Sequence, residues 1–135
     1  MQLNSGLKGL LTHEVVESDL ATNWRNTVPV LATPILLWLA ELACMRAIEG
    51  ALEPGKMTLG YGHDVRHLAA TPCHWVVHVS GELVDVTPKM LTFEISAHDG
   101  RETVLMGRHI RAIVDSERFI ARVQSKADCA AALPN

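Results

Sequence analysis

The residue best placed to do chemistry in this chain is Glu41, a carboxylate set inside the apolar run ILLWLAELACM. Burial without a partner is costly for a carboxylate and raises its pKa, which would make it a useful base or nucleophile. The ordinary alternative is that Glu41 lies on the one exposed stripe of a helix, or pairs with Arg46 or another basic residue in a structural ion pair. Thr33 stands eight residues earlier. On one straight helix the two would be about 12 Å apart, beyond hydrogen-bond reach. They can meet across a two-fold dimer whose antiparallel helices bring Thr33 of one subunit to Glu41 of the other. Taken alone, Thr33 reads as a helix cap.

Seven histidines raise the question of a metal, because His63 and His67 are four residues apart, as are His74 and His78. On a strand, however, that spacing separates side chains by about 13 Å, too far for two ligands of one ion. The HDVRH spacing would suit a metal only on a helix, and Gly60, Gly62 and the strand character around them argue against one. No metal site is expected, and most histidines are expected on solvated strand positions. Gly60 and Gly62 bracket Tyr61. Glycines so placed mark a simple bulge or a close backbone approach to a ligand, where an amide could face a developing oxyanion. Arg108, Arg111, Arg118 and Arg122 lie in a tail, residues 101–135, with a net charge of +2 against −5 for the first hundred residues. They are candidates for a phosphorylated ligand, or else occupy solvated faces.

The 135 residues are enough for one domain, residues 1–135, and 48% hydrophobic content gives it a core to bury. This excludes a disordered or collagen-like chain. A net charge of −3 argues against a nucleic-acid binder. Cys44, Cys73 and Cys129 are odd in number, widely spaced and free of any CxxC pattern, so a reducing, cytoplasmic setting is expected. Residues 35–48 are too short to span a membrane and contain Glu41 and Arg46, and the N-terminus lacks the features of a secretory signal.

These residues must be positioned by a simple run of elements. A first strand is expected over 7–16, then an irregular stretch, ESDLATNWRNTVPV, forming a loop or broken helix. Thr33-Pro34 starts a helix that should run to about Ala51 and stop at Glu53-Pro54-Gly55. Strands are expected over 57–69, 74–86, 89–98 and 102–114, and four in succession imply an antiparallel sheet. In the third, Leu91, Phe93, Ile95 and Ala97 alternate with polar neighbours, and Asp99-Gly100 signals a tight hairpin. A short amphipathic helix over 116–126 and frayed residues at AALPN complete the chain. A helix apolar on nearly every side needs cover on nearly every side. An antiparallel sheet curled around it, the hot-dog arrangement of the α+β class, is the economical answer. Its open edges and uncovered flank predict a dimer.

The segments VLATPILLWLAELACMRA (30–47), LEPGKMTLGYGHDVRHLAATP (52–72), and SAHDG with GRHIRAIVDSERF (96–119) resemble the fluoroacetyl-CoA thioesterase-like family over about three quarters of the chain. The resemblance implies a hot-dog fold, an obligate homodimer, and hydrolysis of an acyl-CoA thioester with no metal and no organic cofactor. Carried over by position, it implies catalytic roles for Thr33, Glu41 and His67, an active-site role for Gly60, and a place near the ligand for Arg111. The family's fluoroacetate-specific type has a longer, phenylalanine-rich lid upstream. Here that stretch is shorter and Trp24 is its only aromatic residue, so fluoroacetyl selectivity is not implied.

The mechanism expected is acyl transfer to water. The carbonyl oxygen would lie against the Gly60 amide, Glu41 would act as nucleophile or general base, His67 would manage protons, and Thr33 would position Glu41 or the water. The acyl group would be small or medium, and dimers could pair into tetramers. Two other classes fit the same fold: a non-catalytic acyl-CoA or small-molecule binding dimer, and an enoyl-CoA hydratase, for which no Asp and His hydration motif is evident.

Overall fold

The computed structural model describes residues 2–131. Five strands, β1 (Lys8–Glu14), β2 (Lys56–His67), β3 (Val76–Val86), β4 (Met90–His98) and β5 (Thr103–Asp115), form one antiparallel sheet in the order β1-β3-β4-β5-β2. Helix α1 (Thr33–Ala47) packs on β1, β3 and β4, and α2 (Ser116–Ala131) follows β5. The expected elements are present, with differences at their ends. Between β1 and α1 the chain makes two short 3-10 turns, Glu17–Asp19 and Ala21–Trp24. Helix α1 stops at Ala47 rather than near Ala51, and Gly50 adopts the left-handed conformation (φ 75°) in the turn beyond. Helix α2 runs five residues beyond the expected 126. Residues 132–135, expected to fray, lie outside the described part.

The alternation in β4 holds: Leu91, Phe93, Ile95 and Ala97 are buried, and each fully buried leucine contributes roughly 1.5–3 kcal/mol. Asp99-Gly100 makes its turn, with the Asp99 carboxylate accepting from the amides of Arg101 and Glu102 (both 3.0 Å) and Gly100 at φ 90°. Strand β2 pairs with β5 rather than with its successor β3, which leaves β2 at a sheet edge.

The helix can approach the sheet closely because both surfaces are small where they meet. Gly9 and Gly81 are paired across β1 and β3. A Cβ on Gly9 would collide with the Ala43 carbonyl, and one on Gly81 would lie 2.7 Å from Cys44 Sγ. As expected, the sheet leaves one flank of α1 uncovered: Trp38 is 51% exposed and Met45 37%. The sheet covers one side of the helix, and its far flank stays open. Helix α2 likewise leaves Ile120 and Val123 exposed. No helix among the described residues is long and apolar enough to cross a membrane.

Candidate active site

A single irregularity in β2 decides which of its side chains meet α1. Residues paired across antiparallel strands share a face, and Gly60 pairs with Arg111 while His63 pairs with His109. Between them the register shifts at Gly60/Gly62, which takes Tyr61 out of the ladder. The bulge changes the parity of the strand. Thr58 and Gly60 face the helix before it, and His63, Val65 and His67 face the helix after it. Without the extra residue His63 and His67 would point away.

Glu41 descends from α1 onto this face. Its Oε1 accepts a hydrogen bond from Arg111 Nη1 (3.0 Å), and its Oε2 lies 3.3 Å from His63 Nε2. The Gly60 position lies directly beneath, since a Cβ there would be 2.7 Å from Glu41 Oε1. The Arg111 guanidinium is only 4% exposed and is fixed on three sides. Nε donates to Thr58 Oγ1 (2.9 Å), Nη2 to the Thr58 carbonyl (3.2 Å), and Nη1 also to His109 Nε2 (3.1 Å). His109 Nε2 therefore accepts, which assigns the ring proton to Nδ1, where it is donated to the Gly62 carbonyl (3.0 Å). The partner of Glu41 is thus Arg111, not Arg46, whose Nη1 donates instead to the Leu10 carbonyl (3.0 Å). A carboxylate so paired is not the uncompensated charge expected from the apolar run.

Thr33 and His67 form a second cluster. Thr33 Oγ1 is 2.7 Å from His67 Nδ1. The hydroxyl does not cap the helix: the N-cap position is Ala32, with no side-chain bond. His67 Nε2 is the one buried side-chain polar atom among the described residues that lacks a hydrogen-bond partner. Such an atom is costly to keep and marks a place where another group belongs. A cavity of about 450 Å³ adjoins this pair, lined in part by Trp24, Val30, Ala69 and Ala70.

The expected site residues therefore divide. Glu41, Gly60 and Arg111 are together, Thr33 and His67 are together, and within one chain the two groups do not touch. The expectation of mostly solvated histidines holds for His74, His78 and His98. It fails for His109, which is fully buried, and holds only in part for His67 and for His13, whose Nε2 is 2.7 Å from Asp19 Oδ2, both half-buried; His63 is exposed as a residue, although the bulge turns its ring to the helix side of the sheet. His109 was missed because nothing in GRHIRA shows that a neighbouring strand carries another inward histidine. Of the four candidate arginines only Arg111 reaches the site. Arg108 pairs with Glu94 (3.5 Å) on the opposite sheet face, and Arg118 and Arg122 lie exposed on α2. A broad depression of about 590 Å³ on that opposite face is walled by charged side chains and lies away from both clusters.

Comparison with known proteins places the chain in a family. Residues 15–117 match the family described as fluoroacetyl-CoA-specific thioesterase. A fluoroacetyl-CoA thioesterase from Streptantibioticus cattleyicolor is 42% identical over 97 residues, 72% of this chain and 70% of that protein. The chain belongs to the fluoroacetyl-CoA-specific thioesterase family. A solved fluoroacetyl-CoA thioesterase superposes with a TM-score of 0.87 at 32% identity, covering 93% of this chain and 98% of that one. A thioesterase-superfamily protein from Thermus thermophilus, at 20% identity, shares the fold with a TM-score of 0.89 over 96% of this chain and 97% of its own. The hot-dog fold is thereby established.

Within this family member, Glu41, His63 and His109 bring potential ligand atoms within 4.8 Å of one another, a spacing the same-strand argument did not anticipate. The ligands come from three elements. The cation among them is already Arg111, whose Nη1 bonds two of the three, so the trio would hold a metal only against a fixed positive charge.

Burial pushes the His109 imidazole down from its ordinary 6.5 to about 4, opposed by its bond to Gly62 and reinforced by neighbouring His63. His67 is also lowered, again by burial. Below pH 6.5 the unfolded chain takes up protons that folded His109 refuses until about pH 4. Stability is therefore complete above pH 6.5 and is lost as the pH falls from there towards 4. The urea midpoint is expected to be lower at pH 5 than at pH 7.5, and equal midpoints would contradict a buried neutral His109.

Proposed function

We propose that this protein hydrolyses a small or medium acyl-CoA thioester to the acid and free CoA, at a site that two copies of the chain complete together. The observation that carries the reading is Glu41: a carboxylate from an apolar helix, held by a buried arginine over a glycine, its second oxygen 3.3 Å from His63 of the edge strand β2 and its side chain 29% exposed. Family membership supplies the reaction class.

The two clusters support a shared site through their spacing. Along α1, Thr33 and Glu41 are about 12 Å apart. Along β2, His67 and His63 are about 13 Å apart. A two-fold axis passing near Leu37 and Val65 would therefore bring Thr33 and His67 of one copy against Glu41 and His63 of the other. The outer edge of β2 has no partner strand within the chain, and Trp38 is exposed beside the same midpoint. Two β2 edges pairing antiparallel would satisfy the open backbone groups and cover that flank.

In this assembly the thioester carbonyl lies against the main chain at Gly60, where the bulge interrupts the ladder. Glu41 either takes a proton from the water that attacks the carbonyl carbon, or attacks it directly to form an anhydride that water then hydrolyses to the acid, and in both routes the C–S bond breaks. His67 delivers a proton to the leaving sulfur, and Thr33 holds its ring through Nδ1. Arg111 acts as the counter-charge that fixes Glu41, since four of its five N–H groups are occupied within the chain. The cavity beside Thr33 receives the acyl group. We take the whole chain as one hot-dog domain working in a reducing, cytoplasmic setting, in keeping with its free cysteines.

A panel of short and medium acyl-CoAs, with free thiol followed in the presence of a chelator, tests the reading. Thiol release unaffected by the chelator is expected. Binding without release would point to a non-catalytic dimer, and loss of enoyl absorbance without free thiol to a hydratase.

A further inference from the structure

We propose that His63, which neither the family resemblance nor the spacing of the sequence assigns to the site, is a positioning residue for the hydrolysis: it fixes the plane of the Glu41 carboxylate by holding Oε2. The inference rests on the proposed thioesterase reading and deepens it.

The argument begins with the freedom of a carboxylate. The terminal torsion of a glutamate is broad, so a carboxylate anchored through one oxygen can still swing about that anchor. Arg111 holds only Oε1, and His109 Nε2 is on the same side, 3.7 Å from Oε1. Oε2 is the oxygen left for chemistry, and His63 Nε2, at 3.3 Å, is the group that meets it. With the ring proton on Nε2, His63 donates to Oε2 and completes a two-point clamp. The remaining lone pair of Oε2 then has a fixed direction.

His63 is itself held in place. Its ring stacks on His109 with centroids 4.2 Å apart and planes 20° apart, and His109 stacks in turn on Phe93 at 6.4 Å. The row runs from the core outward along paired positions of β4, β5 and β2. Although the residue lies on an edge strand with exposed main chain, its side chain is only 22% exposed. The Tyr61 bulge is what turns this ring to the helix side, so a backbone irregularity next to the glycine beneath Glu41 supplies the clamp on its second oxygen.

The test separates the hydrogen bond from the stack. His63→Phe keeps a ring for stacking but has no donor, whereas His63→Gln keeps an N–H at similar reach and loses the ring. For an acyl-CoA that the native protein hydrolyses, His63→Phe is expected to lower kcat by about 10- to 100-fold, the scale on which a misplacement of about an ångström slows a reaction. KM is expected to stay within about twofold, because the interaction acts on the chemical step. His63→Gln is expected to recover most of the lost kcat. Native kcat in His63→Phe would overturn the proposal, as would equal losses in both variants, which would make the ring a packing element. Should His63→Phe fail to fold, His63→Leu makes the same comparison. A native protein that hydrolyses nothing on the panel defeats the thioesterase reading and this proposal with it. A hydrolysing native protein with an unimpaired His63→Phe variant defeats this proposal alone.

Discussion

Glu41→Gln is expected to lower kcat for thioester hydrolysis by about 10²–10⁴-fold, the range associated with a positioned acid or base. The substitution is nearly isosteric, and the amide oxygen can still accept from Arg111 Nη1, so the buried guanidinium keeps a partner and the fold should persist. What is lost is the capacity to take a proton or attack a carbonyl. Glu41→Ala is a poorer probe. It removes an acceptor from a 4% exposed arginine, and an unsatisfied buried donor costs about 1–3 kcal/mol, so lost stability would blur lost chemistry. Thiol release by purified Glu41→Gln at the native rate would remove the carboxylate from the mechanism. Single-turnover hydrolysis in oxygen-18 water then separates its two possible roles, because label enters the Glu41 carboxylate only if it forms an anhydride with the acyl group.

Mixing two inactive variants should restore activity. In a shared site, a chain carrying Thr33→Ala still contributes an intact Glu41, and a chain carrying Glu41→Gln still contributes an intact Thr33–His67 pair. A heterodimer of the two therefore contains one wholly native site and one doubly altered site. With random exchange half the dimers are mixed, and activity should recover to about a quarter of the native value from two nearly dead proteins. If all the acting groups of a site came from one chain, every site in the mixture would carry one defect and nothing would be regained. The experiment thus reads the geometry directly: mixing by co-expression or by reversible unfolding, followed by thiol release, gives about one quarter or essentially none.

Much of the architecture was legible because it depends on local periodicity. The two-residue alternation of β4, the Asp99-Gly100 turn and the Thr33-Pro34 helix start are properties of a few consecutive residues, and the structure reproduces each. The length of α1 was overestimated because the apolar run and the distant Pro54 outweighed Gly50, whose left-handed backbone marks the turn. The pairing of β2 with β5 is a non-local choice that no local pattern records.

The kind of site can be read from residue order: a carboxylate in an apolar helix, a threonine two turns before it, a Gly-Tyr-Gly interruption in a strand, and motifs whose order marks the family. What those groups touch depends on how distant segments pack. The charge on Glu41 meets Arg111, seventy residues away, because its side chain reaches from α1 to the paired Gly60 and Arg111. Three histidines turn to the helix side of the sheet because one extra residue at Tyr61 reverses the parity of β2, and because β5 places His109 opposite His63. A side chain's type is fixed by the sequence, but its direction depends on register and its charge partner on packing, and both are set by chain segments far apart.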